Sequence, residues 1–355
     1  MPPILKYVLR RLLVVPITFF LVTAALYGVI MLTPPETRAQ LYLSGGRMDT
    51  QQALQRAIDR IIEERGLDDP YPVQYSRWVS NVLRGDWGWS PVQNDDVLRV
   101  LLRRTPATAE LTLYSILLLA PLGLASGVIA GWKENRRPDH IFRSLAFVAT
   151  SVPPFILGLI LLTIFYAGLR WFPPGRLGLS EQALVRSSSF KTITGLLTID
   201  GLLNGEAGVS QEALRHLVLP VVTLSLAHWA TLGRVTRSAI IEELGKPYIV
   251  AARGRGLSTR RTIWFHALRN ALLPALNSSA LSAASLVTGV FVVEVVFAFP
   301  GVSEPITNSL AHLPDTAMAM GFAVYSVMVV MPLMLILDVL QVFVDPRMRE
   351  GGVGG

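Results

Sequence analysis

Gly245-Lys246-Pro247-Tyr248-Ile249-Val250-Ala251-Ala252-Arg253-Gly254-Arg255-Gly256-Leu257-Ser258 lies between two apolar stretches, residues 217–233 and 271–293. Gly245 stops the helix arriving from the first stretch, and Pro247 suits the first position of a new short helix. Gly254 and Gly256 break that helix, because glycine is a poor interior residue and a good terminator. Ser258 or Thr259 can cap the next helix, which re-enters the second apolar stretch. The reading is a short crosswise helix followed by a basic one. Ala251, Ala252 and Gly256 carry almost no side-chain bulk, which lets another surface approach closely. Arg253, Arg255, Arg260 and Arg261 surround them. Taken alone, the arginines read more simply as charges kept beside a membrane. The alanine–glycine pattern with its helix break does not reduce to that.

The composition agrees with a lipid solvent. The chain has 355 residues, 51% hydrophobic and only 16% charged, against roughly a quarter charged for a soluble protein. Mean hydropathy is +0.46. A spanning helix needs about 20 mostly apolar residues. Six stretches qualify or nearly so: 12–33, 111–132, 144–169, 217–233, 271–293 and 316–337. The fourth is the weakest, being short and containing Pro220 and His228. The expected fold is an all-α polytopic membrane protein of about six transmembrane helices. Lys6, Arg10 and Arg11 before the first stretch resemble a signal peptide, but the apolar run is long and ends in no small-x-small cleavage site. It is read as a retained first helix.

Orientation follows from the basic residues of the short connections. Placing the N-tail, 133–143, 234–270 and 346–355 in the cytoplasm gives them three, four, eight and two Lys or Arg, more than half of the chain's 32. Both termini then lie inside. The expected division is an N-tail with the first helix over 1–35 and an external helical segment over 36–109. A core over 110–345 follows, with an external excursion at 170–215 and a cytoplasmic loop at 234–273, then a cytoplasmic C-tail over 346–355. Within the external segment, Ala53, Leu54, Ala57, Ile58, Ile61 and Ile62 recur at helical spacing before Gly66. The second excursion, with Ser187-Ser188-Ser189, reads as less regular and flexible.

Proline is abundant in or beside the spans, including Pro153-Pro154. Each removes a backbone bond, which fits either ordinary kinking or bent helices around a gated path. Glu294 and Asp338 sit near span ends, where snorkelling explains a charge. Pro153, Pro154 and Glu294 are the candidate pore or gate residues.

Several chemistries are excluded. The chain has no cysteine, hence no disulfide, thiolate metal site or cysteine nucleophile. Its only Gly-Lys pair, Gly245-Lys246, lacks the spacing of a phosphate-cradling loop. The five histidines are scattered and mark no metal site, and no cofactor is expected in this chain. The net charge of +7 clusters beside spans rather than in a nucleic-acid motif. Ser225 and His228, neighbours on a helix, are the one pair an intramembrane protease could use. A self-sufficient secondary transporter would need midplane carboxylates, which the spans lack.

Ala251-Ala252, Gly256 and the closing Leu273-Pro274 resemble the EAA loop of permease subunits in ATP-binding-cassette importers. Tyr248, Ala252-Arg253, Gly256-Leu257 and Arg269 to Pro274 look like the dipeptide, oligopeptide and nickel branch, first-permease type. The name-giving glutamate is replaced by Val250. The likeness covers nearly the whole chain: Arg10-Arg11-Leu12-Leu13, Gly66-Leu67-Asp68-Asp69-Pro70, Arg84-Gly85-Asp86, Arg104 to Thr108, Ser151 to Phe155, Glu294 to Phe297, Pro300-Gly301 and Asp345-Pro346-Arg347. Ser303 stands where a further glycine is usual, and 176–213 match poorly.

The resemblance implies a non-catalytic subunit of the plasma (inner) membrane, forming half of a translocation path for peptides or similar solutes. Nickel chelates, glutathione and oligosaccharides travel through similar permeases. Implied partners are a homologous second permease, two cytoplasmic ATPases that carry ATP and Mg, an extracytoplasmic solute-binding protein and membrane lipid. It implies ATPase coupling through the 242–274 loop, at Tyr248, Ala251, Ala252, Arg253, Gly256, Leu257 and Ser258.

Overall fold

The computed structural model describes the backbone of residues 3–40, 42–43, 51–312 and 315–344; the side chains of 3–12, 15, 276–284, 287, 310–312 and 333–344 are outside the description. Asp338 and the Arg10-Arg11 pair therefore fall outside the described side chains, and Asp345-Pro346-Arg347 with the 346–355 tail outside the described residues.

Helices dominate. In chain order they are α1 (Pro3–Met31), α2 (Pro35–Gln40), α3 (Gln51–Arg65) and α4 (Tyr71–Leu83), then a two-residue hairpin of β1 (Trp89–Ser90) and β2 (Asp95–Asp96). There follow α5 (Val97–Trp132), α6 (Arg137–Ser151), α7 (Pro154–Leu161), α8 (Leu179–Val185), α9 (Leu197–Leu203) and α10 (Ala207–Leu244). The last are α11 (Pro247–Gly254), α12 (Thr259–Arg261), α13 (Leu268–Val296), α14 (Ser303–His312) and α15 (Thr316–Val344). Single π turns extend α7 over Leu162–Gly168 and join α12 to α13 over Thr262–Ala267.

Among the described residues, α5 and α10 are each long and apolar enough to cross a membrane. At 36 and 38 residues they extend about 54 and 57 Å, well beyond a 30 Å hydrocarbon layer. The weakest stretch in the sequence is thus the core of the longest helix. Pro220 is absorbed within it, because one lost backbone bond is a small fraction of its length. Within the described residues, the apolar parts of α1 and α15 run over Pro16–Met31 and Thr316–Pro332.

The third stretch is not one continuous helix. Arg137–Ser151 and Pro154–Gly168 meet at 101°. Val152 is extended because it precedes Pro153, and Pro154 starts the next helix in a first-turn position. The consecutive prolines thus make a corner rather than a kink.

Chain contacts define two compact units. One is built on Leu5–Arg104 with Pro305–Pro332. In it the expected helix over the first external segment appears as α3, closed by Gly66 at φ +57°. Tyr27 of α1 meets Tyr71, Tyr75 and Trp78 of α4 at ring distances of 5.4–6.1 Å. Ser90 donates to Asp315 at 2.5 Å.

The other unit is built on Thr105–Glu304. Leu111, Leu119, Leu217, Leu224, Val290 and Val293 form its main core, where α10 packs along α13. Along α5, Gly123, Gly127 and Gly131 recur every fourth residue and lie against α10. A Cβ at Gly127 would stand 2.6 Å from the Gly233 carbonyl, and one at Gly131 2.8 Å from that of Arg237. Close backbone approach through small residues is how helices associate where burial in water gives no driving force.

The excursion at 170–215 is more ordered than its composition indicates. Glu110 of α5, fully buried, accepts from Arg176 at 2.6 and 3.1 Å and from the amide and hydroxyl of Thr198, both at 2.8 Å. Asp200 accepts the amides of Thr194 and Gly195 at 2.8 and 2.9 Å. Burial pushes the Asp200 carboxyl up, but these donors outweigh it and leave it below the usual range. The anchor that orders the segment, Glu110, lies more than 60 residues away in sequence.

Candidate functional site

The loop after α10 folds as its punctuation requires. Gly245 ends α10, Lys246 is extended and Pro247 opens α11. Gly256 closes the turn at φ +79°, a conformation that penalises any side chain. Ser258 caps α12, its hydroxyl accepting the Arg261 amide at 3.4 Å, and its carbonyl accepts the Thr262 amide at 3.0 Å.

Four polar side chains form the network that holds α11 in place. The Glu243 carboxylate, at the end of α10, accepts from Lys246 and from the Tyr248 hydroxyl. Asn270 of α13 donates to the Tyr248 oxygen at 2.9 Å and to Glu243 at 3.4 Å. Burial raises the Glu243 carboxyl, yet the Lys246 and Tyr248 donors win and hold it below the usual range. Beneath lie Ile249, Val128, Ile240, Ile263 and Ala271, all buried.

The expected coupling residues divide by this geometry. Tyr248 and Ala252 face the chain itself, the first in the Glu243 network and the second 1% exposed. Ala252 therefore does not offer its small side chain to an outside surface, as its pairing with Ala251 had indicated. One helical turn buries Ile249 and Ala252 together, which turns Ala251 and Arg253 outward. Ala251, Arg253, Gly256 and Ser258 are exposed, with Leu257 half-buried. Val250, at the position of the missing glutamate, is 66% exposed.

A lock behind the loop had no recognisable signal in the sequence. Asp139 of α6 is fully buried and takes Arg237 of α10 in a bidentate pair at 2.6 and 2.8 Å, plus the Asn135 amide at 2.9 Å. The Arg237 hydrogen bonds, against the opposing effect of burial, hold the Asp139 carboxyl at about 2. The only hint is an acid in the first turn of a basic helix start.

The candidate gate residues stand at the other end of the same unit. Pro153 and Pro154 make the α6–α7 corner, and Gly158 of α7 packs on Val296 and Phe297. Glu294 does not snorkel. It is 1% exposed, accepting from Thr108 at 2.5 Å and from the amide and hydroxyl of Ser303 at 2.9 and 2.6 Å. Thr108 in turn accepts the Val302 amide at 2.9 Å. Ser303, at the position where glycine is usual, supplies two of the three donors. Ser225 donates to the Ser115 carbonyl at 3.1 Å, so its hydroxyl is committed elsewhere than to His228.

Residues 123–350 match the family described as binding-protein-dependent transport system inner membrane component, and residues 4–112 match the N-terminal region of such components. The chain belongs to this family. As an inner membrane component it is an integral permease subunit of a binding-protein-dependent transport system, a non-catalytic part of it. It is 33% identical to the di/tripeptide transport system permease protein DppB of Pseudomonas aeruginosa, over 98% of this chain and 99% of that one. The probable D,D-dipeptide transport system permease protein DdpB of Escherichia coli is 36% identical over 84% and 87%. The oligopeptide transport system permease protein AppB of Bacillus subtilis is 32% identical over 97% and 99%.

Proposed function

We propose that this inner membrane component is one half of the translocation path of an ATP-driven importer for peptides, and that the 242–274 loop couples it to a cytoplasmic ATPase. The observation that carries the coupling is α11 itself. Its inner face is fixed by Glu243, Tyr248 and Asn270, while Ala251 and Gly256 face outward with little bulk beside the exposed Arg253. A short helix anchored so firmly on one side transmits a push from the other to α10 and α13 together. Peptide as cargo is supported by the three peptide permeases that resemble the chain along most of its length.

On this reading the chain crosses the membrane about six times with both termini in the cytoplasm. The 36–109 and 170–215 segments lie outside and the 234–273 loop inside. A homologous permease completes the path, two ATPase subunits bind ATP and Mg, and an extracytoplasmic solute-binding protein delivers cargo. The bound nucleotide must favour one conformation of the pair over the other, or hydrolysis could not drive opening. The corner at Pro153-Pro154 and the end of α13 near Glu294 are the proposed gate elements.

The test follows from exposure. Gly256→Trp would strain a positive-φ turn and confuse folding with docking. Ala251→Trp adds bulk on an exposed helical position without that strain. The expected result is normal membrane insertion with transport reduced at least about tenfold and ATP hydrolysis no longer tied to it, a loss of about 1.4 kcal/mol in coupling. Wild-type peptide uptake by this variant in reconstituted vesicles would remove the coupling assignment.

A further inference from the structure

In the unit built on Leu5–Arg104, a cleft of about 380 Å³ opens between α1, α2, α4 and the start of α15. It falls within the size range of small-molecule sites. Its base includes Arg38 of α2, only 7% exposed. Two of its nitrogens are used, Nη1 donating to Gln74 at 3.0 Å and Nη2 to the Leu67 carbonyl at 2.8 Å. Both acceptors are neutral. The third, Nε, is buried and has no acceptor among the described residues. A buried guanidinium without a counter-ion is costly, and a buried N–H without an acceptor adds to that cost.

A second guanidinium, Arg65, lines the exposed side of the cleft and stacks on Tyr42 at 3.9 Å from the ring centre. Neighbouring carboxylates are engaged elsewhere: Asp69 pairs with Arg77 at 2.6 Å, and Asp315 accepts from Ser90. One carboxylate, Asp86, lines the cleft and accepts the Gly88 amide at 3.1 Å, leaving the lining with a net positive charge. The walls are apolar and aromatic, with Tyr27, Ile30, Trp78, Trp89 and Met320.

We propose that this cleft binds an anionic group, a carboxylate or a phosphate, carried on an apolar body. The anion completes Arg38 and takes the free fork of Arg65, a geometry suited to either oxyanion. The body lies against the aromatic walls. Two sources share this chemistry, a free amphiphilic acid and the headgroup of an anionic lipid. The inference rests on the cleft alone and stands apart from the import reading.

The full chain in phosphatidylcholine nanodiscs tests it, with tryptophan emission as the readout, since Trp78, Trp87 and Trp89 line the cleft. The probe is 3-phenylpropionate, and its neutral amide is the control. The acid should give a saturable change that the amide does not. Arg65→Gln, at an exposed position, should weaken it about tenfold without touching the cleft base. Arg38→Gln should abolish it. If the acid gives no saturation but exchange of phosphatidylcholine for phosphatidylglycerol shifts the emission in the native chain and not in Arg65→Gln, the anion is the headgroup of an anionic lipid and the site stands. Equal binding of acid and amide, identical behaviour of native chain and variants, or no response to either anion overturns the proposal.

Discussion

The two ends of the unit built on Thr105–Glu304 handle charge in opposite ways. At one end, Glu110 and Glu294 are fully enclosed and each accepts at least three hydrogen bonds. At the other, Glu243, also buried, is tied to Lys246 and Tyr248, and Arg253, Arg255, Arg260 and Arg261 stand exposed beyond it. A buried carboxylate is tolerated only when its hydrogen bonds are complete, so the first end is closed upon itself. Exposed arginines beside Ala251 and Gly256 remain open to solvent. The difference teaches that enclosed and exposed charge are separated along the same helices, which on the proposed reading keeps fixed geometry apart from docking.

The strongest way to break this contrast is to open the closed end. Glu294→Ala removes the buried acceptor of the Thr108 hydroxyl and of both Ser303 donors. The expected loss is about 3 kcal/mol, for a buried hydrogen-bond network that loses its central acceptor. Thermal unfolding in detergent measures it, and a shift no larger than that of an exposed alanine substitution would show the network to be dispensable.

Asp139→Asn probes the lock behind the loop and should cost about 3 kcal/mol, because Arg237 is left charged and partly buried. The sign of its pH dependence is fixed. The folded carboxyl is held at about 2, below its usual 3.8, so its contribution is complete above about pH 4. It is lost as pH falls from 4 towards 2. The native chain should lose stability over that window more steeply than Asp139→Asn. Parallel curves would mean that the pair contributes nothing.

The smallest effect sharpens the other end. Tyr248→Phe removes the hydroxyl that joins Glu243 to Asn270, worth about 1 kcal/mol. Amide exchange should quicken across α11 while the global unfolding temperature hardly moves. Unchanged exchange at α11 would mean that the packing of Ile249 and Ala252 alone holds the helix.

Local rules found much of the loop because its signals are local. Gly245, Pro247, Gly256 and Ser258 act within a few residues, through backbone freedom, fixed φ and capping, and each sits where those rules place it. The same is true of the helix before Gly66. Helix lengths were less legible: α5 begins 14 residues before its apolar stretch, because polar residues continue a helix whenever nothing stops them. Hydropathy marks what lipid tolerates, and helix ends are set by caps and breakers.

The sequence by itself determined the class of the protein, the apolar stretches, the break-and-cap pattern of the loop and the likeness to a permease family. Tertiary structure decided which way each side chain faces and what completes it. Glu294 meets Thr108 across 186 positions, Asp139 meets Arg237 across 98, and Ser303 acquires its role only where the chain returns to Glu294. The stripe of Gly123, Gly127 and Gly131 gains its meaning only against the α10 backbone. Periodicity and composition report a residue's neighbours along the chain, whereas a buried charge is satisfied by neighbours in space, and those exist only once the helices have packed.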